Sequence, residues 1–317
     1  MKVSVVVAVY NEEESIKLLL ESLLRQSRKP DEIVVVDNGS QDKTVEILKS
    51  FSCKYPKIRI FVHKGTLAQG RNLAVRKASY KIIAQIDAGC VAKKDWLEKI
   101  ITPFTQKTTG VVAGYYKILA DSCLQKAAAP FLGVLPKRYD IRSFLPCGRS
   151  IAFRKSVWEK IGGYSEKLDR YGEDTLFNYQ VIQKGFKMIR VPEALVYWQV
   201  PGNLKDLAIK FFRYAYGDFQ TAIWWHPQHK LATHNIKVLG IFVRYFLGIF
   251  LLILAFRNPL YFYLLIICFL GYLFWSILKL RDLVTGTLPR LIIPLIQLTS
   301  DLCIMAGFAF GLIKLLV

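Results

Sequence analysis

Two carboxylates draw attention because each closes an apolar run: Asp37 ends "EIVVVD" and Asp87 ends "KIIAQID". A carboxylate so placed emerges from an apolar layer onto an edge that is free to carry ligands. Hard oxygen donors of this kind suit magnesium or manganese bridging phosphate oxygens, with the ion completing its shell from phosphate and water. Asp87 is the candidate ligand. Asp37 is placed to accept hydrogen bonds from a bound base or ribose, whereas Asp42, across "NGS", reads equally well as the cap of the next helix. Arg71 and Asn72 open a later helix, where a guanidinium either meets a diphosphate or lies on the surface. Tyr10, Asn11 and Glu12 follow the first apolar run, and "DAGC" starts at Asp87.

The elements that must position these groups are short β-branched runs alternating with helical patterns. "VSVVVAV" precedes a helix over about Glu13 to Gln26, "EIVVVD" one over about Lys43 to Phe51, and "IRIFVH" one from Ala68, before "KIIAQID". Continuous apolar strands separated by helices predict an α/β fold, a mostly parallel sheet flanked by helices. In such a sheet ligands bind beyond the carboxyl ends of the strands, where the polar residues collect.

The chain changes character along its length. Three apolar stretches follow Ile236: "VLGIFVRYFLGIFLLILAF" from Val238, "PLYFYLLIICFLGYLFWSIL" from Pro259, and a third from Leu291 to Val317. Each approaches or exceeds the roughly 20 residues that cross a bilayer, which predicts about three transmembrane helices. Pro294 and the polar run Gln297 to Asp301 leave a second arrangement open, two spanning helices and a re-entrant third. Asp301 needs a partner inside the membrane, and Arg244 is the candidate. Lys230, Lys237, Lys279, Arg281 and Arg290 place the N-terminal domain on the cytoplasmic side of the cell membrane by the positive-inside rule. Before the tail, "NLKDLAIKFFRYAYGDFQTAIWW" mixes apolar and basic residues and reads as an amphipathic segment in the headgroup layer. The division is thus 1–202 for the α/β domain, 203–235 for the interfacial segment and 236–317 for the transmembrane region.

The formal charge of +20 is scattered rather than gathered into Arg-rich arms, which favours membrane lipids and phosphate-bearing substrates over nucleic acid. The six cysteines form no CxxC pair, which argues for a reducing compartment and against a zinc site. "VSVVVAV" runs straight into "YNEEE" and so reads as a buried strand, not a signal peptide.

Taken in order, "VVVAVYNEEESI", "IVVVDNGSQDKT", "LAQGRNLAV", "QIDAGC", "GRSIAFRKSVWEKIGGYSE" and "GEDTLFNYQVIQKGF" resemble the successive motifs of family 2 glycosyltransferases, from about Val3 to Gly217. The resemblance implies the GT-A nucleotide-diphospho-sugar transferase fold. It implies that Tyr10, Asn11, Glu12, Asp37 and Arg71 bind the donor, and that Asp87 holds the metal diphosphate through Mg2+ or Mn2+. Gly89 stands where the family often has a second acid. Of Glu173 and Asp174, the resemblance makes Asp174 the general base on the acceptor hydroxyl, although acids here also suit the positive end of a helix dipole. Gly148, Arg149 and Ser150 resemble the loop lining the sugar and acceptor pocket. The Gln-x-x-Arg-Trp element of processive members is not found, which favours transfer of a single sugar. Trp198 stands where many members have His, with His226, His229 and His234 as conceivable substitutes.

The expected function is that of a membrane-anchored inverting enzyme moving one sugar from a nucleotide-diphosphate sugar to a lipid-linked or membrane-proximal acceptor. A polyprenyl-phosphate sugar synthase, whose acceptor is already ionised, is the alternative within the class. A non-catalytic nucleotide-sugar-binding protein is the alternative outside it.

Overall fold

The computed structural model describes residues 1–168, 171–225 and 233–316; His226 and His229 lie outside them. The chain forms two compact units, Met1–Leu119 with Tyr139–Gln199, and Ala120–Arg138 with Val200–Val317.

The first unit opens with strictly alternating elements: β1 (Val3–Val9), α1 (Ile16–Leu24), β2 (Glu32–Asp37), α2 (Thr44–Lys54), β3 (Ile58–Val62), α3 (Leu67–Lys77) and β4 (Ile82–Gln85). It continues through β5 (Cys90–Ala92), α4 (Trp96–Ile101) and β6 (Thr109–Leu119). After α5 (Cys123–Leu132), which belongs to the second unit, come β7 (Ile151–Arg154), α6 (Lys155–Ile161), α7 (Glu173–Gln183) and β8 (Lys187–Gln199). Among the described residues the strands make one eight-stranded sheet in the order β3-β2-β1-β4-β7-β6-β8-β5.

The alternating half is parallel, as its apolar runs require: every residue of β1 and β2 is buried, because helices cover both faces. α1 buries Ile16, Leu19, Leu20 and Leu23, the one-face spacing of an amphipathic helix. The sheet turns mixed at β7, which runs antiparallel to both β4 and β6, while β8 is parallel to β6. α1 starts at Ile16 rather than near Glu13, for a local reason. The backbone N–H of Glu12 donates to Thr44 Oγ1 (2.8 Å) and that of Glu13 to Asp42 Oδ2 (3.1 Å), so this stretch is tied to the neighbouring loop instead of winding into a first turn.

The edge of the sheet at the strand N-termini is held by a buried carboxylate. Glu32 accepts from Ser4 Oγ (2.6 Å), Arg59 Nη1 (2.8 Å) and Ser79 Oγ (3.0 Å). The opposite edge, where β1, β2 and β4 end, is left for chemistry.

The second unit contains α5, α8 (Leu204–Thr221), α9 (His234–Ala255), α10 (Pro259–Leu280) and α11 (Thr287–Leu316). The last three are long and apolar enough to cross a membrane. They differ in cover. α9 buries only Asn235 and Val238, and α10 only Ser276 and Leu280, whereas α11 buries one side from Pro289 through Ile293, Ile296 and Ser300 to Gly307 and Gly311. Gly307 and Gly311 bring α11 against α8: a Cβ at Gly307 would lie 2.3 Å from the Phe212 carbonyl oxygen, and one at Gly311 2.5 Å from Phe219 Cδ1. Small residues at this spacing are how helices approach backbone to backbone. The remaining surface carries exposed Phe246, Leu247, Phe250, Ile253, Ile267 and Leu270, an apolar area no water-facing surface of this size sustains.

Asp301 is 1% exposed and is paired as expected with Arg244 (3.4 Å). It also accepts from Tyr272 Oη, Tyr245 Oη and Gln297 Nε2.

Candidate active site

The site lies at the carboxyl ends of β1, β2 and β4 and at the N-terminus of α7. Its centre is Arg71, 3% exposed. Its Nη2 donates to Asp87 Oδ1 at 2.6 Å, and its Nη1 pairs closely with Glu173 Oε1. One guanidinium therefore joins a strand end to a helix start that lie far apart in sequence. Tyr164 lies beneath it, 5.6 Å from the guanidinium carbon to the ring centroid, and its hydroxyl donates to Gln85 Oε1 (2.9 Å).

Gly148 makes this packing possible. A Cβ there would come within 2.0 Å of Arg71 Nη2 and 2.7 Å of Asp87 Oδ1. The Gly148 N–H donates to Asp174 Oδ2 (3.2 Å), and the Thr175 N–H donates to Asp174 Oδ1 (2.8 Å). The two acids that open α7 thus differ. Glu173 is buried and spent on Arg71, whereas Asp174 is half-buried and oriented by two backbone N–H groups.

The electrostatics follow from one cation among several acids. Burial pushes the Glu173 carboxyl up to about 7, against the pull of Arg71 and with the help of neighbouring Asp174. Burial works against charge on Arg71, but Asp87 and Glu173 more than offset it and hold the guanidinium charged. Burial likewise raises the Cys90 and Cys147 thiols, so neither is an activated nucleophile.

The expected donor-binding residues form a connected rim. Asn11 donates its N–H to Ser40 Oγ (2.8 Å) and accepts from the Gln41 N–H (2.9 Å), so the loops after β1 and β2 are tied together. Tyr10 is exposed on this rim. Asp37 is fully buried, and its carboxylate already accepts from the Gly39 N–H, the Ser40 N–H and Ser40 Oγ. It shapes the turn, and Gly39 at φ 90° completes that turn. Arg71, for which a diphosphate contact and a surface position were both open, is buried between Asp87 and Glu173, which removes the surface reading.

Among the three loop residues, Ser150 is 1% exposed; its hydroxyl accepts from Trp96 Nε1 (2.9 Å) and donates to the Ala194 carbonyl (3.1 Å). That hydroxyl is part of the core and does not line a pocket. Arg149 stacks its guanidinium on Trp198, 3.9 Å from the ring centroid, with Tyr116 at 4.9 Å. Trp198, on β8, thus has the role of a platform for a cation.

Sequence reasoning missed Tyr164 and the function of Asn72. The Asn72 side chain donates to the Tyr164 carbonyl (2.8 Å) and Glu166 Oε1 (2.7 Å) and accepts from Trp158 Nε1 (3.1 Å) and the Tyr164 N–H (2.9 Å). It clamps the "GGYSE" turn that carries Tyr164 from the middle of α3 rather than from its start; an Asn beside Arg71 within an ordered motif was the available signal.

For a divalent cation, the donor set is hard oxygen. Asp87 is 33% exposed with Oδ1 engaged by Arg71. Gly89 leaves its side open, and the Glu12 carboxylate faces that opening, 3.7 and 3.8 Å from where a Cβ would stand. Among the described residues no group of three or more His, Cys, Asp or Glu side chains is arranged to hold a metal. The residues therefore fit an ion that takes one or two carboxylates from the protein and the rest from phosphate and water.

A parallel half-sheet with acids at its carboxyl edge, extended by a mixed half that brings an acidic helix start to the same edge, is the architecture of the GT-A glycosyltransferases. The chain belongs to glycosyl transferase family 2, whose sequence model matches residues 4–162. It is 31% identical over 187 residues to the glycosyltransferase AglE of Haloferax volcanii, covering 54% of this chain and 58% of that protein. It is 25% identical over 266 residues to the probable glycosyltransferase YdaM of Bacillus subtilis, covering 77% of this chain and 58% of that one. The chain thus spans under three fifths of the length of these relatives. Among solved structures it is similar in fold to the mannosyltransferase PcManGT of Pyrobaculum calidifontis in complex with GDP-Man and Mn2+, at TM-score 0.59 and 18% identity, over 98% of this chain and 87% of that one. TarS of S. aureus with UDP-GlcNAc shares the fold at TM-score 0.51 and 19% identity, over 67% and 66% of the two chains.

Proposed function

We propose that the first unit transfers a single glycosyl group, with inversion, from a nucleoside-diphosphate sugar to a hydroxyl of a lipid-linked or membrane-proximal acceptor. One observation carries the reading: Arg71 gathers Asp87 and Glu173 around one buried cation, which sets the more accessible Asp174 beside the acid suited to a leaving diphosphate.

Asp174 takes the proton of the acceptor hydroxyl as that oxygen bonds to the anomeric carbon and the bond from this carbon to the diphosphate oxygen breaks. Its two N–H partners aim it without neutralising it. Glu173 touches no substrate and fixes Arg71. Tyr10, Asn11 and Glu12, on the rim shaped by Asp37, face the nucleoside. Gly148 and the stacked Arg149 face the sugar and acceptor. Mg2+ or Mn2+, when bound, supplies positive charge to the diphosphate; Asp87 would hold it, with Glu12 across the opening at Gly89.

The apolar helices of the second unit support a membrane anchor, and a chain confined to a membrane meets lipid-linked acceptors at raised local concentration. Lys237, Lys279, Arg281 and Arg290 support a cytoplasmic catalytic unit in the cell membrane. The test is a screen of UDP- and GDP-sugars for donor hydrolysis and transfer in nanodiscs, with Mn2+ or Mg2+. Absence of nucleotide binding under every metal condition would sink the reading. Activity on a polyprenyl phosphate that survives Asp174→Asn would replace the hydroxyl acceptor with a phosphate one.

A further inference from the structure

We propose that α11 does not cross the bilayer. It enters and leaves the membrane on the side where α9 begins, so the anchor is the α9–α10 hairpin alone, and α8 and α11 together form a platform seated in one leaflet. The inference goes beyond the proposed reaction and rests only on the second unit being in a membrane.

The argument starts with the near end of α9. The Asp218 carboxylate, near the end of α8, meets His234 Nδ1 at 3.0 Å, and the Asp218 carbonyl accepts from Asn235 Nδ2 at 2.8 Å. The end of α8 and the start of α9 are therefore at one level. α9 and α10 are joined by the short turn around Asn258 and lie side by side, with the Arg244 guanidinium carbon 4.5 Å from the Tyr272 ring centroid. The end of α10 is thus on the same side as the start of α9.

The start of α11 is fastened there too. Arg290 donates to the carbonyls of Arg281 and Val284 (both 3.0 Å), and Lys137, next to α5, donates to the Asp282 carbonyl (2.8 Å). A helix that crossed from this point would carry its final turns to the far side. Instead, the last turns of α11 return to α8: Lys314 Nζ reaches Tyr216 Oη (3.1 Å), and Phe308 packs on Phe219 (4.8 Å between centroids). Both ends of α11 are held on the near side.

The middle lies within the leaflet. Asp301 meets Arg244 and Tyr272, which at 1.5 Å per residue lie about 15 Å along α9 from His234 and about 12 Å along α10 from Leu280. A carboxylate at that depth needs protein partners, and here it has them. The exposed Leu291, Leu295, Leu302 and Ile313 on the other side of α11 meet lipid chains. A partly polar, one-sided helix of this kind matches a leaflet-seated element better than a span.

The test uses the full chain in sealed membrane vesicles, with an epitope at the N-terminus, at the C-terminus, or inserted at Asn258, and an impermeant protease. The expected result is that both terminal epitopes are cut from one face and the Asn258 epitope only from the other. Terminal epitopes on opposite faces overturn the inference. So does an Asn258 epitope on the same face as the N-terminus, or release of the chain by alkaline wash. Leu288→Cys and Leu316→Cys, each in a chain whose six native cysteines are replaced by serine, give a second readout that leaves the termini unaltered: an impermeant maleimide labels both from the same face, and labelling from opposite faces overturns the inference.

Discussion

Gly148→Ala is the sharpest test of the site, because it adds a single methyl group where the structure has no room for one. The new carbon would stand 2.0 Å from Arg71 Nη2, about 1.4 Å inside ordinary contact. An arginine end usually swings aside at small cost, but this one is held by Asp87 and by buried Glu173. If Arg71 yields, Glu173 is left buried with a weakened partner, a defect that costs about 3–5 kcal/mol when complete and roughly 2–4 kcal/mol for a displaced pair. If the Gly148 loop yields instead, the hydrogen bond to Asp174 is lost at about 1–3 kcal/mol and the proposed base loses its aim. Both routes misplace a reacting group by about 1 Å, which is enough for roughly a hundredfold loss in kcat/KM. Urea unfolding followed by tryptophan fluorescence gives the stability change, and donor turnover gives the rate. Gly240→Ala, on α9 with nothing within 4 Å, is the control. Gly148→Ala with stability within about 0.5 kcal/mol of the parent, the usual range for a surface change, and turnover within twofold would refute the packing and the dependence of the site on Arg71.

Asp174→Asn is expected to lower turnover by about 10²–10⁴ with nucleotide affinity unchanged, whereas Glu173→Gln should lower stability and nucleotide affinity; calorimetry alongside steady-state rates separates the two. Gly89→Asp places a second acid beside Glu12 and should tighten Mn2+ binding in the presence of a nucleoside diphosphate by about tenfold, while lowering stability without metal; unchanged Mn2+ affinity by electron spin resonance would contradict the opening at Gly89. Burial raises the Glu32 carboxyl, but Ser4, Ser79 and Arg59 outweigh it and leave the group below its ordinary 4.5. Its contribution is therefore present above that value and lost as pH falls through the lowered one, so Glu32→Gln should reduce stability at pH 7 and flatten the acid limb of an unfolding curve. Gly307→Leu should push α11 off the Phe212 carbonyl and lower the melting temperature in detergent while leaving isolated nucleotide binding intact.

Much of the first unit was legible because its signals are local. The apolar runs of β1 and β2 are readable one residue at a time, and Asp37 and Asp87 were visible as the points where such runs stop. The mixed half was harder to read: β7 is four residues long, and its partners β4 and β6 are fixed by tertiary contact rather than by its own pattern. The same divide runs through the site. That Arg71, Asp87 and Glu173 matter could be read from motifs, but their mutual pairing could not, because it depends on Gly148 lacking a side chain at a distance no sequence spacing encodes. Ser150 carried the right residue type for ligand contact, yet its hydroxyl bonds to Trp96 and to the Ala194 carbonyl, which only the fold brings near.

The membrane region shows the converse limit, where a strong local signal underdetermines the arrangement. Length and hydropathy treat α9, α10 and α11 alike, since each supplies enough apolar surface to face lipid. What separates them is which surface is left over after packing. α9 and α10 leave most of theirs exposed, which suits a hydrocarbon surround. α11 gives one side to α8 through Gly307 and Gly311 and turns Gln297, Ser300 and Asp301 into the protein. The polar run that interrupts its hydropathy is therefore the inner face of a docked helix. A docked helix with both ends tied to the entry level of α9 stays on one side, although its 30 residues are long enough to cross.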